Sequence, residues 1–362
     1  MIGTLPAFPW HAIAEHRKRA SEHEDGIVNL ALGEPVDPVP DVVQNALRST
    51  TDTPGYPPCE GIPELRKAAA DWLARRHRVP VDPAHVIAAA GAKELIAWLP
   101  AMLGTGPGDV VALPELSFPT YEVSARLAGA STVVAATPME IAGSPPRIVW
   151  LNSPSNPEGR VLPAAKLREI VCWARERGSI VVNDECYLEH SWATEPASIL
   201  APEVCGDDHE GLIAVHSLSK RSNLAGYRAG FATGDPQLIE RLLTVRRQAG
   251  HVVPAPVQAA MIAALGDDSH VDLQRTRYQR RRAVLRSALE SAGFRIDCSE
   301  ASLFLWATRG QSCWVTLKEL AELGILVAPG EFYGRAGAKH VRVAFTATDE
   351  RIDAAAQRLT AA

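Results

Sequence analysis

At 362 residues the chain is longer than one hydrophobic core usually serves, so two lobes are expected. With 46% hydrophobic and 22% charged residues it has the composition of a soluble globular protein, and a net charge of −5 argues against nucleic acid or an anionic membrane as partner. No apolar run reaches the length of a membrane span, and the start MIGTLPAFPWHAIAEHRKRA lacks a signal-peptide pattern. The six cysteines (Cys59, Cys172, Cys186, Cys205, Cys298 and Cys313) form no CxxC pair, so a reduced cytoplasmic setting without a metal site is expected. Cys172 and Cys186 stand in apolar stretches and read as core thiols.

From about residue 85 to 235, short apolar runs alternate with helical patterns. HVIAAAG leads into AKELIAWLPAML, DVVALP into TYEVSARLAG, and RIVWLNSP into AAKLREIVCWARERG; then follow SIVVNDECY, LIAVHSLSK and YRAGFATG. Continuous apolar strands between amphipathic helices predict an α/β domain, a mainly parallel sheet with helices on both faces. After residue 265, HVDLQRTRYQRRRAVLRSALESAG reads as one long helix whose arginine run is a solvated face. FRID, SLFLWATR, VTLKELAELG, ILVAPG, HVRVAFT and DERIDAAAQRL then mix strands and helices, as in a smaller α+β lobe.

In such sheets ligands collect beyond the carboxyl ends of the strands, and polar residues gather there at Gly91–Glu94, Asn152–Asn156, Asn183–Tyr187 and Ser217–Lys220. Taken singly, a lysine after a strand is usually solvated and an aspartate is usually a cap. Together they form an inventory. GAKELI opens a helix whose free N–H groups can cradle a phosphate, with Ser217, Ser219 and Arg228 suited to the same anion. Asp184, desolvated after its strand, needs a cationic partner. Tyr187 offers a phenol and Asn156 an amide, while Lys220 offers an amine able to form a Schiff base. Pyridoxal 5′-phosphate has the matching aldehyde, phosphate, pyridine nitrogen and phenolic oxygen.

The order and spacing of these residues resemble the fold-type I, class I/II aminotransferases along almost the whole chain. LALGEPVDP, GYPPCEGIPELRKAAADWL, GAKELI, PELSFPTYE, NSPSNPEGRVL, NDECY, SLSKRSNLAGYRAGF, LVAPGEFYG and HVRVAFT carry the likeness. Within that family, LPAFPW, KELIAWLP, DECYLE, AVHSLSK, LFLWATRG and TATDER are most similar to actinobacterial N-succinyl-diaminopimelate aminotransferases. The resemblance implies a large cofactor-binding domain at 36–270 and a small domain from 1–35 and 271–362. It implies that Lys220 holds pyridoxal phosphate covalently and shuttles a proton, that Asp184 pairs with the pyridine nitrogen, and that Tyr187 and Asn156 bond the phenolic oxygen. Phe118 would stack on the ring, and Gly91, Ala92, Lys93, Ser217, Ser219 and Arg228 would hold the phosphate. Tyr56 would reach the phosphate of a neighbouring subunit, giving a homodimer with shared active sites. Arg342 would clamp the substrate carboxylate, with Gly33 allowing close approach. A cis peptide bond is expected at Ser153–Pro154 or Asn156–Pro157.

Several positions depart from that pattern. Glu34 replaces a small hydroxyl residue beside Gly33 and would repel a carboxylate-rich substrate; His190, Ser191, His251 and Val252 are also unusual. The main expectation is therefore amino transfer between glutamate/2-oxoglutarate and an N-succinyl-diaminopimelate-like amino acid. The alternative is a recruited paralogue in specialised biosynthesis that applies the same carbanion chemistry to elimination, replacement or carbon–carbon bond formation, as on S-adenosylmethionine. A non-catalytic binding protein is disfavoured by the intact Lys220, Asp184, Tyr187 and Arg342, and a dehydrogenase by the missing GxGxxG. Lys93 and Arg221 are either distal substrate contacts or simply solvated.

Overall fold

The computed structural model describes residues 5–361, so Met1–Thr4, at the start of the expected small lobe, lie outside the described residues. In chain order the strands are β1 Val28–Asn29, β2 Val86–Ala89, β3 Val110–Pro114, β4 Ser131–Ala135, β5 Ile148–Asn152, β6 Ile180–Asp184, β7 Leu212–Ser217, β8 Gly230–Gly234, β9 Arg295–Asp297, β10 Phe304–Thr308, β11 Ile325–Leu326, β12 Ala328–Pro329 and β13 Val341–Ala344. Seven of them form one sheet in the order β2-β8-β7-β6-β5-β3-β4, in which β8 alone runs antiparallel to its neighbours.

Because successive side chains on a strand point to opposite faces, each strand feeds two cores. Ile87, Trp150, Val182 and Ile213 join the helices Ala92–Met102, Thr120–Leu127 and Pro236–Ala249. Ala88, Val149, Val181 and Leu212 join Pro63–His77, Ala164–Arg175 and Ala255–Gly266 on the other side. Burial on both faces is why these strands read as unbroken apolar runs.

A third apolar cluster gathers Ile13, Val28 and Leu30 with Leu285, Phe304, Leu317 and Ile352. It covers the antiparallel sheet β12-β13-β10-β9 and the parallel pair β1–β11. The expected long helix is present at Ser269–Ser291, but its arginine run is not uniformly solvated. Arg280 is exposed, whereas Arg281 is buried and pairs at 2.7 Å with both Asp37 and Asp349. A helix turns each residue by about 100°, so consecutive arginines cannot share one face. Cys172 is likewise corrected: it lies exposed on Ala164–Arg175, while Cys186 is partly buried.

Candidate active site

The carboxyl ends of β5, β6 and β7 and the first turn of Ala92–Met102 open into a cavity of about 580 Å³, closed from above by Leu32–Glu34, Phe304 and Arg342. Ala92, Lys93, Phe118, Asn156, Asp184, Tyr187, Ser217, Ser219, Lys220, Arg228, Arg342, Gly33 and Glu34, all singled out above, line it.

Asp184 ends β6 and is buried. Its Oδ2 accepts the Tyr121 hydroxyl at 2.9 Å and its Oδ1 the Cys186 N–H at 3.2 Å. Among the described residues no cation pairs with it, and burial raises its pKa above the usual carboxylate range. Such a carboxylate is suited to a protonated ring nitrogen. Tyr187 is buried against the edge of Phe304, ring centres 5.7 Å apart, and burial pushes its phenol up as well.

The loop after β5 is held by Asn152, whose amide donates to the Asp184 carbonyl at 2.8 Å and whose Oδ1 accepts the Asn156 N–H at 2.7 Å. Both expected proline bonds, Ser153–Pro154 and Asn156–Pro157, are cis. Asn156 Oδ1 accepts Arg342 at 2.7 Å. Arg342, buried on β13, also donates to the Ala31 carbonyl at 2.6 Å and lies 4.0 Å above the centre of Phe304. Its Nε has no partner and no carboxylate meets it among the described residues, which leaves a buried guanidinium prepared for an anion.

Lys220 follows β7 in the short helix Leu218–Arg221, and its amine donates to the Gly33 carbonyl. Burial, then the nearby Arg342 guanidinium, push its pKa down to about 8. A Cβ on Gly33 would stand 2.6 Å from Phe304 Cζ, so only glycine keeps this backbone against the cavity.

The helix Ala92–Met102 begins at Gly91 without a side-chain cap, leaving its first N–H groups free. Gly91 has φ +80°, and a Cβ there would lie 2.7 Å from Arg228 Cζ. Helix N-terminus, arginine and the Ser217 and Ser219 hydroxyls thus meet at one end of the cavity, a cradle of phosphate size and sign. The Ser217 hydroxyl also accepts the Ser219 N–H at 3.1 Å. Tyr56 is fully exposed and lines no part of the cavity within the single chain.

Other positions are placed elsewhere. Arg221 is buried, bound to Glu189 and Asp268 and to the Ala264 carbonyl, so it is neither solvated nor a distal contact. His190 is buried against Tyr278, where burial lowers its pKa to about 4. Ser191 bridges to Ala301, His251 pairs with Glu94 at 2.9 Å, and Val252 packs into the sheet core. None of these four lines the cavity of the single chain. Conversely, Trp10, Leu32, Ile96, Ala225 and Phe304 line it without having been singled out, Cys186 lines it where a core thiol was expected, and Tyr121 supports Asp184 from behind. The one available signal was Tyr121 three residues after Phe118, one helical turn away.

A lowered-pKa lysine, an unpaired buried carboxylate and a phosphate cradle, set at strand ends of this sheet, define a pyridoxal 5′-phosphate enzyme. The chain belongs to the class I and II aminotransferases, whose family model matches residues 25–359. It is 66% identical over 356 residues to the 4-dedimethylamino-4-oxo-anhydrotetracycline transaminase OxyQ of Streptomyces rimosus, covering 98% of this chain and 99% of that one. It is 54% identical to a probable aminotransferase of Mycobacterium tuberculosis (99% and 86% covered) and 31% identical to an LL-diaminopimelate aminotransferase of Dehalococcoides mccartyi (97% and 95%). Among solved structures, an aminotransferase from Neisseria meningitidis superposes with a TM-score of 0.90 at 28% identity, covering 99% and 97% of the two chains.

Proposed function

We propose that this aminotransferase takes its amino group from glutamate, returning 2-oxoglutarate, and delivers it to the carbonyl of a fused-ring ketone of the 4-dedimethylamino-4-oxo-anhydrotetracycline type. The observation that carries the acceptor is the cavity lining beside the relationship to OxyQ. Around Lys220 stand Trp10, Leu32, Ile96, Phe118 and Phe304, with a carboxylate, Glu34, in the same lining. Amino transfer to an N-succinyl-diaminopimelate-like compound is the second reading, favoured by the Lys93 ammonium at the rim and opposed by Glu34. Of the residues that motivated elimination or replacement chemistry, Glu34 lines the cavity, whereas His190 and His251 stand off it and lend no support.

When bound, pyridoxal 5′-phosphate supplies an aldehyde and an electron-withdrawing ring that stabilises negative charge at the substrate α-carbon. Lys220 Nζ, its pKa lowered to about 8 by burial and Arg342, would be the amine that holds the aldehyde, and the same atom is placed to carry a proton at the substrate α-carbon. The Asp184 carboxylate would accept the pyridine N–H, and Tyr187 and Asn156 would donate to the phenolic oxygen. Phe118 would cover the ring. The free N–H groups of Ala92 and Lys93 beside Gly91, with Ser217, Ser219 and Arg228, would hold the phosphate. Arg342 takes the donor's α-carboxylate, with Gly33 clearing its approach.

Tyr56, exposed here, reaches the phosphate of a second copy. Exposed Trp98 and Val245, on the mutually packed helices Ala92–Met102 and Pro236–Ala249, support that homodimer. The lobe division at 36–270 against 1–35 with 271–362 follows the same reading; the apolar cluster shared by Ile13, Val28 and Leu359 supports it.

The test is the visible spectrum of the cofactor-loaded enzyme. L-glutamate should bleach the yellow band and release 2-oxoglutarate, and the fused-ring ketone should restore it. Restoration by N-succinyl-2-amino-6-oxopimelate, and not by the fused-ring ketone, would replace the first reading by the second.

A further inference from the structure

The mouth of the cavity carries an aromatic wall to which the transfer chemistry assigns no task. Trp10, from the short helix Pro9–Ile13, is partly buried and lines the cavity. Phe332 holds the indole edge-on, ring centres 5.5 Å apart and planes at 82°, and Trp314 braces Phe332 at 5.9 Å. Phe8 precedes the same helix, and Lys93 Nζ lies 5.8 Å from the centres of both the Phe8 and Phe118 rings. Leu32 and Ile96 complete the apolar part of the lining. A donor such as glutamate has no ring to lay against these surfaces, and its carboxylate is met deeper, at Arg342.

We infer that Trp10 selects the acceptor: its braced indole is the platform on which the flat ring system of a fused-ring ketone lies while the carbonyl reaches Lys220. The inference rests on the acceptor reading proposed above and names the residue that enforces it. An indole held edge-on by Phe332, itself braced by Trp314, offers a large apolar face with little conformational freedom left to lose on binding. The residue thus discriminates by flatness and apolar area, which short keto acids lack.

The experiment compares kcat and KM of the loaded wild-type enzyme, Trp10→Phe and Trp10→Ala, with glutamate as donor and either the fused-ring ketone or isotopically labelled 2-oxoglutarate as acceptor, the latter read as label appearing in glutamate. Trp10→Ala should raise KM for the ketone about 30-fold, the loss of one aromatic contact and its buried area, with kcat changed far less. Trp10→Phe, which keeps a ring, should fall between the two, and the preference for the ketone over 2-oxoglutarate should fall in the same order. Equal losses with both acceptors, as a structural Trp10 would give, or an unchanged preference, overturn the inference while the acceptor reading stands. A wild-type enzyme that accepts the amino group of glutamate but aminates no fused-ring ketone overturns the acceptor reading itself, and this inference with it.

Discussion

Lys220 is an amine whose reactivity is set by where its strand ends. Burial and Arg342 take it from an ordinary 10.5 down to about 8, which in the cofactor-free protein is a cost to the fold of roughly 3 kcal/mol. Between pH 8 and 10.5 the unfolded chain keeps a proton that the folded chain has released, so folding is favoured as pH rises through that window. Cofactor-free Lys220→Met should therefore melt above the cofactor-free wild type at pH 7, and the gap should narrow as pH climbs from 8 to 10.5. A gap independent of pH, in thermal melts across that range, would count against a buried charged amine. Lys220, Asp184 and Arg228 were legible in the sequence because each follows or precedes an apolar run, whereas Arg342 was legible only through the resemblance to the family. Trp10 and Phe304 were not, because an aromatic residue in an apolar stretch reads as core until the opposite lobe shows which face is open. Arg221 misled for the converse reason: its carboxylate partners, Glu189 and Asp268, are distant in sequence.

At the scale of elements, the first turn of Ala92–Met102 is a binding device because Gly91 is in the left-handed region and lies against Arg228. Gly91→Ala would both strain the backbone and displace the guanidinium, and should weaken cofactor retention about tenfold or more, measured by equilibrium dialysis of the loaded protein. The long helix shows a different dependence. Arg281 bridges Asp37, ahead of the large sheet, and Asp349, at the start of the last helix, so Arg281→Ala leaves carboxylates without their buried partner. A loss of about 3–5 kcal/mol in denaturant unfolding is expected, against a far smaller one for the exposed Arg280→Ala. The central strands were readable from their unbroken apolar runs. The edge strand β4 was not, since its residues are mostly exposed and its place is decided by pairing with β3.

At the scale of the molecule, Tyr56 is fully exposed in the single chain, and its proposed place at the phosphate of a second copy can be tested by complementation. Tyr56→Ala should weaken cofactor binding, and Lys220→Ala should abolish transfer. Mixed dimers of the two variants should regain activity, because one of their two sites then combines an intact Lys220 with an intact Tyr56 from the other chain. Activity in the mixture no greater than the sum of the separate variants would refute shared sites.

The sequence by itself determined the alternation of buried strands and amphipathic helices, and with it the place where polar residues must collect. Hydrophobic periodicity is a local property, and a carboxylate, a lysine and an open helix end mark a strand terminus wherever the chain goes next. Only the tertiary structure decided which side chains face the cavity and which are spent on internal pairing. That choice depends on contacts between segments far apart in the chain: Arg342 with Asn156, Arg281 with Asp37, Lys220 with Gly33, and Trp10 with Phe332. Each joins segments far apart in the chain, and no window of local sequence contains it.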